Sequence, residues 1–161
     1  MPTLYLLRHA KSSWSDESLR DFDRPLKGRG RKAAELIGRV LGTEKLDAPL
    51  VISSPALRAR ETTELVLNSS GLSSEPRFDE RIYEADLPAL LEVVSTIPEA
   101  AETAIMVGHN PGFEALLAFL TGENRQMPTC ALARIKLSLG WNEVGEGAGR
   151  LQSFVTPKDL D

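Results

Sequence analysis

The sequence predicts an α/β protein, a three-layer α/β/α sandwich around a mostly parallel sheet. Short apolar segments of strand length alternate with longer segments whose apolar residues recur at helical spacing. Strands are predicted at residues 3–7, 50–52, 77–78, 103–107, 129–138 and 150–155. Strands that alternate with helices usually lie parallel, with helices on both faces of the sheet. The chain has 161 residues, of which 42% are hydrophobic, and one domain over residues 1–161 is expected.

The first helix is predicted over residues 31–42, where apolar residues keep the i, i+3, i+4 spacing of one helix face. The residues expected to face the core are Ala33, Leu36, Ile37, Val40 and Leu41. The polar stretch before it, residues 11–30, is predicted to be a loop. Its length is unusual for a simple connection and is typical of a functional loop.

Capping residues predict where the other helices begin. Ser54 followed by Pro55, and Asn110 followed by Pro111, each match an N-cap with a first-turn proline. Asp86 is expected to cap a further helix that carries a run of leucines and valines. We therefore expect a helix after each of these three positions.

Composition and charge exclude several classes of protein. A net charge of −4 argues against nucleic-acid or membrane partners, although it leaves room for a local basic pocket. No apolar run approaches the roughly 20 residues of a membrane helix, and the first residues do not resemble a secretory signal. The single cysteine, Cys130, favours a reducing compartment, and we expect it to pack as a small hydrophobic residue. These features favour a cytoplasmic protein.

Polar residues with phosphate-binding chemistry follow each of the three central strands. Arg8 and His9 come at the end of the first strand, and His109 follows the third. Arg58 lies in the first turn of the helix after the second strand, and side chains on a helix lean toward its N-terminus. Ligands of parallel α/β sheets bind beyond the carboxyl ends of the strands. Two arginines and two imidazoles are therefore predicted to converge on a phosphate site.

Three segments carry a family resemblance. Arg8-His9-Ala10, the run from Ser54 to Thr62 with Arg58 at its centre, and Gly108-His109-Asn110-Pro111 resemble the motifs of the histidine phosphatase superfamily. Ala10 stands where that family usually has glycine. The segments DFDRPL and VGHNPG are most similar to the short SixA-like phosphohistidine phosphatases. This resemblance implies a phosphoglycerate mutase-like fold.

The resemblance also implies roles for the four strand-end residues. His9 would be the nucleophile that forms a phosphohistidine intermediate, while Arg8, Arg58 and His109 would hold the phosphoryl oxygens. No metal ion and no other cofactor are expected. We expect His9 to be neutral at pH 7, because neighbouring cations disfavour a protonated imidazole.

The acid that protonates the leaving group is less well marked. The resemblance points to Glu80 in the segment Asp79–Glu84, with Glu84 as the alternative. Ser15 is a candidate for phosphate binding. Further candidates in the same loop, each with an ordinary loop role as the alternative, are Lys11, Ser12, Ser13, Trp14 and Arg24.

The most favoured function is removal of phosphate from protein phosphohistidine, with inorganic phosphate as the product. Alternatives are hydrolysis of small phosphomonoesters and a non-catalytic phosphate-binding domain of the same fold. Mutase activity is less favoured, because no insertion is long enough to form a lid that keeps water from the intermediate.

Overall fold

A six-stranded sheet forms the centre of the computed structural model, which describes residues 1–160. Its strands are β1 (Thr3–Arg8), β2 (Leu50–Ser53), β3 (Arg77–Phe78), β4 (Thr103–Gly108), β5 (Leu132–Leu137) and β6 (Gly149–Val155). The order across the sheet is β3-β2-β4-β1-β5-β6. The first four strands in this order pair in parallel, and β5 and β6 add antiparallel pairs at one side. The mostly parallel sheet is confirmed.

Four helices cover the two faces of the sheet: α1 (Gly28–Thr43), α2 (Leu57–Ser70), α3 (Leu87–Ser95) and α4 (Gly112–Thr121). Residues of β1 alternate between the faces, as strand geometry requires. Leu4 and Leu6 pack with the α3–α4 layer, whereas Tyr5 and Leu7 pack with the α1–α2 layer. All four are almost fully buried, which explains why this strand is a continuous apolar run. The three-layer fold class is confirmed.

Helix α1 differs from the prediction in its start and in its buried face. It begins at Gly28 rather than at residue 31, and it buries Gly30, Ala34 and Gly38 as well as Ile37 and Leu41. The predicted core residues Ala33, Leu36 and Val40 are only half-buried. The reason is close packing: a Cβ at Gly38 would overlap the Ser69 side chain of α2. Hydrophobic periodicity gives no weight to glycine and therefore misplaced this face.

The capping predictions were confirmed for one helix and wrong for two. The Asp86 carboxylate accepts a hydrogen bond from the third residue of α3 at 3.0 Å, as an N-cap does. Helices α2 and α4 begin later than predicted, at Leu57 and Gly112, and neither has a side-chain cap. Ser54 and Asn110 instead direct their polar atoms to other partners near the strand ends. In the described residues, no helix is long and apolar enough to cross a bilayer.

Candidate active site

The residues that follow β1, β2 and β4 meet at one edge of the sheet. His9 and His109 lie side by side there, with ring centroids 5.1 Å apart. A cavity of about 360 Å³ opens at this edge, and Arg8, His9, Arg58 and His109 all line it. The convergence expected of the four strand-end residues is therefore present in the fold.

The ring of His9 is buried, and its hydrogen bonding defines which nitrogen is free. Nδ1 lies 2.7 Å from the backbone oxygen of Ala10. A carbonyl oxygen only accepts hydrogen bonds, so Nδ1 carries the proton and Nε2 keeps its lone pair. Burial lowers the pKa of His9 to about 3, and the positive charges of Arg58 and Arg8 act in the same direction. The ring is neutral at pH 7 as expected, but burial is a larger cause than the neighbouring cations.

His109 is also neutral, and it offers a hydrogen-bond donor. Its Nε2 lies 2.7 Å from Ser54 Oγ. That hydroxyl already accepts a bond from the backbone N–H of Ala56 at 3.2 Å, so its own hydrogen is available to Nε2. When Ser54 donates this hydrogen to Nε2, Nδ1 carries the ring hydrogen, and Nδ1 is buried without a partner in the described residues. Burial, with the charge of Arg58, lowers the pKa of His109 to about 4.

The two arginines are held by backbone and carboxylate oxygens. Arg8 Nη1 donates to the backbone oxygen of Met127 at 2.9 Å, and burial lowers the pKa of Arg8. Arg58 donates twice to Asp21, from Nη1 to the backbone oxygen at 2.8 Å and from Nη2 to Oδ2 at 3.0 Å. The Nε of each arginine is buried with no partner in residues 1–160. Such unpaired donors around one cavity suit an anionic ligand.

Asp21 is a member of this cluster that the sequence analysis did not identify. Its carboxylate accepts hydrogen bonds from Arg58, from Arg24 at 3.0 Å and from the Tyr83 hydroxyl at 2.7 Å. Partial burial raises the pKa of Asp21, but the bond from Tyr83 and the charge of Arg58 outweigh it and lower the pKa to about 2. Asp21 is the first residue of the segment DFDRPL, which carries part of the family resemblance. That resemblance was the signal by which Asp21 could have been found.

Two further polar residues hold the backbone of segments next to the cavity. Thr62 Oγ1, fully buried on α2, accepts from the Ala10 backbone N–H at 2.9 Å and donates to the Arg58 carbonyl at 2.7 Å. Glu114 Oε2 on α4 accepts from the Met127 backbone N–H. Thr62 was part of the motif by which the resemblance was stated, whereas nothing local in the sequence distinguishes Glu114 from a solvated helix residue.

Two predicted site residues lie outside the cavity. Glu80 is exposed in a short 3-10 turn and does not line it. Ser15 is also exposed, and its Oγ bonds only to the neighbouring Ser13 hydroxyl, at 2.8 Å. Ser12 lines the cavity instead, because the loop makes an isolated bridge between Ser12 and Leu26 that turns this residue inward. The alternative acid Glu84 lines an adjoining groove that shares His109.

The other loop candidates have defined places. Arg24 is buried, donates to Ser12 Oγ at 2.8 Å, and stacks on the exposed Trp14 ring at 3.5 Å from its centroid. Cys130 is buried among apolar residues, and burial raises the pKa of its thiol to about 12. Within residues 1–160, no group of three or more His, Cys, Asp or Glu side chains is placed to hold a metal ion.

The fold and this site define a class of protein. Two neutral imidazoles and two arginines line one cavity at the carboxyl edge of a parallel sheet, and one imidazole presents an unprotonated nitrogen. Such an arrangement can bind a phosphoryl group and can offer it a nitrogen nucleophile.

Comparison with known proteins agrees with that class. The family model of the histidine phosphatase superfamily (branch 1) matches residues 4–104. An uncharacterized protein of Mycobacterium tuberculosis is 31% identical over 94% of this chain and 100% of its own length. An uncharacterized chloroplastic protein of Arabidopsis thaliana is 30% identical over 96% of this chain and 77% of its own length.

Solved structures point the same way. A protein from Agrobacterium tumefaciens assigned as the phosphohistidine phosphatase SixA is 29% identical, with a TM-score of 0.82 over 97% of this chain and 98% of its own. The protein histidine phosphatase SixA in complex with tungstate superimposes with a TM-score of 0.86 over 99% of both chains, at 23% identity. The chain belongs to the histidine phosphatase superfamily, in its SixA-like branch.

Proposed function

We propose that this protein is a phosphatase that works through a phosphohistidine intermediate on His9 and removes phosphate from phosphohistidine in proteins. The family and the SixA neighbours support the phosphatase activity. The observation that carries the mechanism is the hydrogen bond from His9 Nδ1 to the Ala10 carbonyl, because it directs the free lone pair of Nε2 to the cavity side of the ring.

In the first step His9 Nε2 attacks phosphorus, and the bond from phosphorus to the leaving group breaks. Arg8, Arg58 and the Nδ1–H of His109 donate to the phosphoryl oxygens, whose negative charge is spread out in the transition state. The phosphorylated ring of His9 gains positive charge. Its Nδ1–H bond to the Ala10 carbonyl strengthens as that charge develops.

In the second step water attacks phosphorus, and the bond from phosphorus to Nε2 breaks. Inorganic phosphate leaves, and the neutral imidazole is restored. The low pKa of His9, about 3, keeps Nε2 unprotonated for the next turnover across the whole neutral range.

The need of each substrate for a general acid favours phosphohistidine over simple phosphate esters as the substrate. Of the residues described, only Asp21 contributes a carboxylate to the cavity, and with a pKa of about 2 it is ionised at neutral pH. It therefore has no proton to give to a departing alkoxide. A phosphohistidine whose second ring nitrogen carries a proton leaves as neutral imidazole, whose conjugate acid has a pKa near 6.5, so this leaving group needs no proton from the protein.

The test compares three substrates in the presence of EDTA: a phosphohistidine peptide, p-nitrophenyl phosphate and glycerol 3-phosphate. We expect release of phosphate from the first two and turnover of glycerol 3-phosphate at least about a hundredfold slower, because the alkoxide needs a general acid. His9→Ala should lower kcat/KM by at least about a thousandfold, since it removes the nucleophile.

Two controls separate catalysis from binding. Ser15→Ala alters an exposed loop hydroxyl outside the cavity and should leave kcat/KM within about twofold. Brief reaction with labelled substrate should give an acid-labile, base-stable label on the wild type and none on His9→Ala. If the protein bound phosphate but released none from any of the three substrates, it would be a phosphate-binding domain and not an enzyme.

A further inference from the structure

A second groove adjoins the phosphate cavity. It has a volume of about 440 Å³ and lies between the start of α1, the segment before β5 and the C-terminal 3-10 turn at Pro157–Leu160. Lys11 and Thr129 line both this groove and the phosphate cavity. The two spaces are therefore neighbours that share a wall.

The walls of this groove are basic although the chain as a whole is acidic, with a net charge of −4. Lys11, Arg29 and Lys158 line it, and no lining residue is acidic. Among the described residues, no carboxylate lies within 4 Å of Lys11 or Arg29. The nearest acid in the 3-10 turn, Asp159, accepts a hydrogen bond from the Thr156 backbone N–H.

The position of Arg29 is unfavourable for the helix that carries it. It lies in the first turn of α1, where the helix dipole favours acidic side chains, and that turn contains no acid. Helix stability therefore does not explain the arginine. The turn is fixed against the loop after β1, because Lys27 N–H donates to the Lys11 carbonyl at 2.9 Å and a Cβ at Gly30 would overlap that carbonyl. This contact sets Lys11 and Arg29 beside one another.

We propose that this groove binds a second anionic group of the substrate, carried on the same molecule as the phosphoryl group. The proposal rests on the proposed function, since the phosphoryl group is the one held at His9. Three cations without a matching acid in the walls suit a carboxylate or a second phosphate. On a protein substrate the group is an acidic side chain near the phosphohistidine, and on a small substrate it is a carboxylate.

The test measures binding rather than turnover, so that it stays separate from the test of catalysis. One probe pair consists of peptides with a phosphonate-bearing triazole in place of phosphohistidine, flanked on each side by three glutamates or by three glutamines. The other pair is 3-phosphonopropionate and propylphosphonate, which differ in one carboxylate. Dissociation constants are measured by calorimetry at low salt, where exposed charges interact most strongly.

We expect the acidic member of a pair to bind about tenfold more tightly, and Arg29→Glu to remove that preference. The preference should also fall steeply with added salt. The matched control is Arg150→Glu, which makes the same charge change on β6, near the start of β1 and so at the opposite edge of the sheet. It should keep the preference. Glutamate suits the first turn of α1, so Arg29→Glu is expected to fold.

A preference within the peptide pair alone identifies an acidic protein segment as the source, and one within the small pair alone identifies a small carboxylated phosphate compound. Equal binding within both pairs, or a preference that survives Arg29→Glu, overturns the groove proposal. Neither result bears on turnover: an enzyme that hydrolyses phosphohistidine but shows no such preference keeps the proposed function and loses the groove.

Discussion

At the scale of single residues, the site depends on hydrogen bonds that orient the two imidazole rings and the guanidinium group of Arg58. His9 is oriented by a carbonyl, which defines the tautomer of its neutral ring, and His109 is oriented by a serine hydroxyl. The guanidinium group of Arg58 donates two hydrogen bonds to Asp21. A phosphoryl group that enters the cavity meets donors that are already in position, and little reorganisation is needed in the transition state.

Thr62 gives the sharpest prediction at this scale. Thr62→Val leaves the buried N–H of Ala10 without its partner, and we expect a loss of about 1–3 kcal/mol in the free energy of unfolding. The kcat/KM should also fall by about tenfold, because Ala10 directly follows His9, the proposed nucleophile. Urea unfolding and steady-state kinetics measure the two effects.

Thr62→Ser is the matched control for that change. It keeps the hydroxyl and removes only a methyl group, at a cost of about 1 kcal/mol. Its kcat/KM should stay close to that of the wild type. Equal losses of activity in the serine and valine variants would show that packing, and not the hydrogen bond, positions the loop.

At the scale of elements, the site exists because three parallel strands end at one edge. The pairing of Arg8 with Gly108 across β1 and β4, and of Ser53 with Val107 across β2 and β4, aligns the three strand ends. The residues immediately after them therefore meet. Helix α1 also forms a boundary of the site, because it holds the loop that carries Lys11.

Two glycines of α1 test that boundary. Gly30→Ala should cost about 1–3 kcal/mol in unfolding free energy, because the new Cβ overlaps the Lys11 carbonyl and the helix must shift. Gly28→Ala is the control in the same turn, because nothing lies within 4 Å of a Cβ at this position. Alanine lowers the backbone entropy of the unfolded chain, so this variant should be more stable by about 0.5 kcal/mol. Thermal or urea unfolding of both variants measures the difference. Equal stability would mean that α1 is free to move away from the loop.

At the scale of the whole molecule, a chain with a net charge of −4 has a cavity lined mainly by cations among its charged residues. The arginines and lysines at this edge draw anions toward the cavity, while the net charge of −4 disfavours nonspecific contact with nucleic acids. The buried imidazoles also give the fold a distinct dependence on pH.

Stability should fall as the pH falls from about 6.5 to about 4. In the unfolded chain each histidine binds a proton near pH 6.5, whereas burial lowers the pKa to about 3 for His9 and to about 4 for His109. The unfolded state therefore binds more protons in this window, and the fall in the free energy of unfolding approaches about 1.4 kcal/mol per pH unit for each histidine below about pH 5.5.

Urea unfolding at pH 6.5 and pH 5 measures this slope. The His9→Gln, His109→Gln double variant has no imidazole left to titrate, and over this range the slope should fall by about 2 kcal/mol per pH unit. A slope unchanged by the double substitution would mean that these rings bind protons as readily in the folded protein as in the unfolded chain.

The sequence alone determined the layers, the mostly parallel sheet and the convergence of Arg8, His9, Arg58 and His109. These features follow from local periodicity and from the rule that parallel strands end at one edge, so neighbouring residues carry the information. The Asp86 cap was found for the same reason, since capping is a contact within one turn.

Only the tertiary structure decided the rest, because the partners lie far apart in the chain. Asp21 reaches Tyr83 and Arg58 across 62 and 37 positions, and Ser54 reaches His109 across 55. The site serine is Ser12 rather than Ser15, and Glu80 stays outside the cavity, because the bridge to Leu26 and the turn at Glu80–Ile82 set which way those side chains face. Local patterns carry no record of such distances, whereas burial and hydrogen bonding in the folded chain select one arrangement.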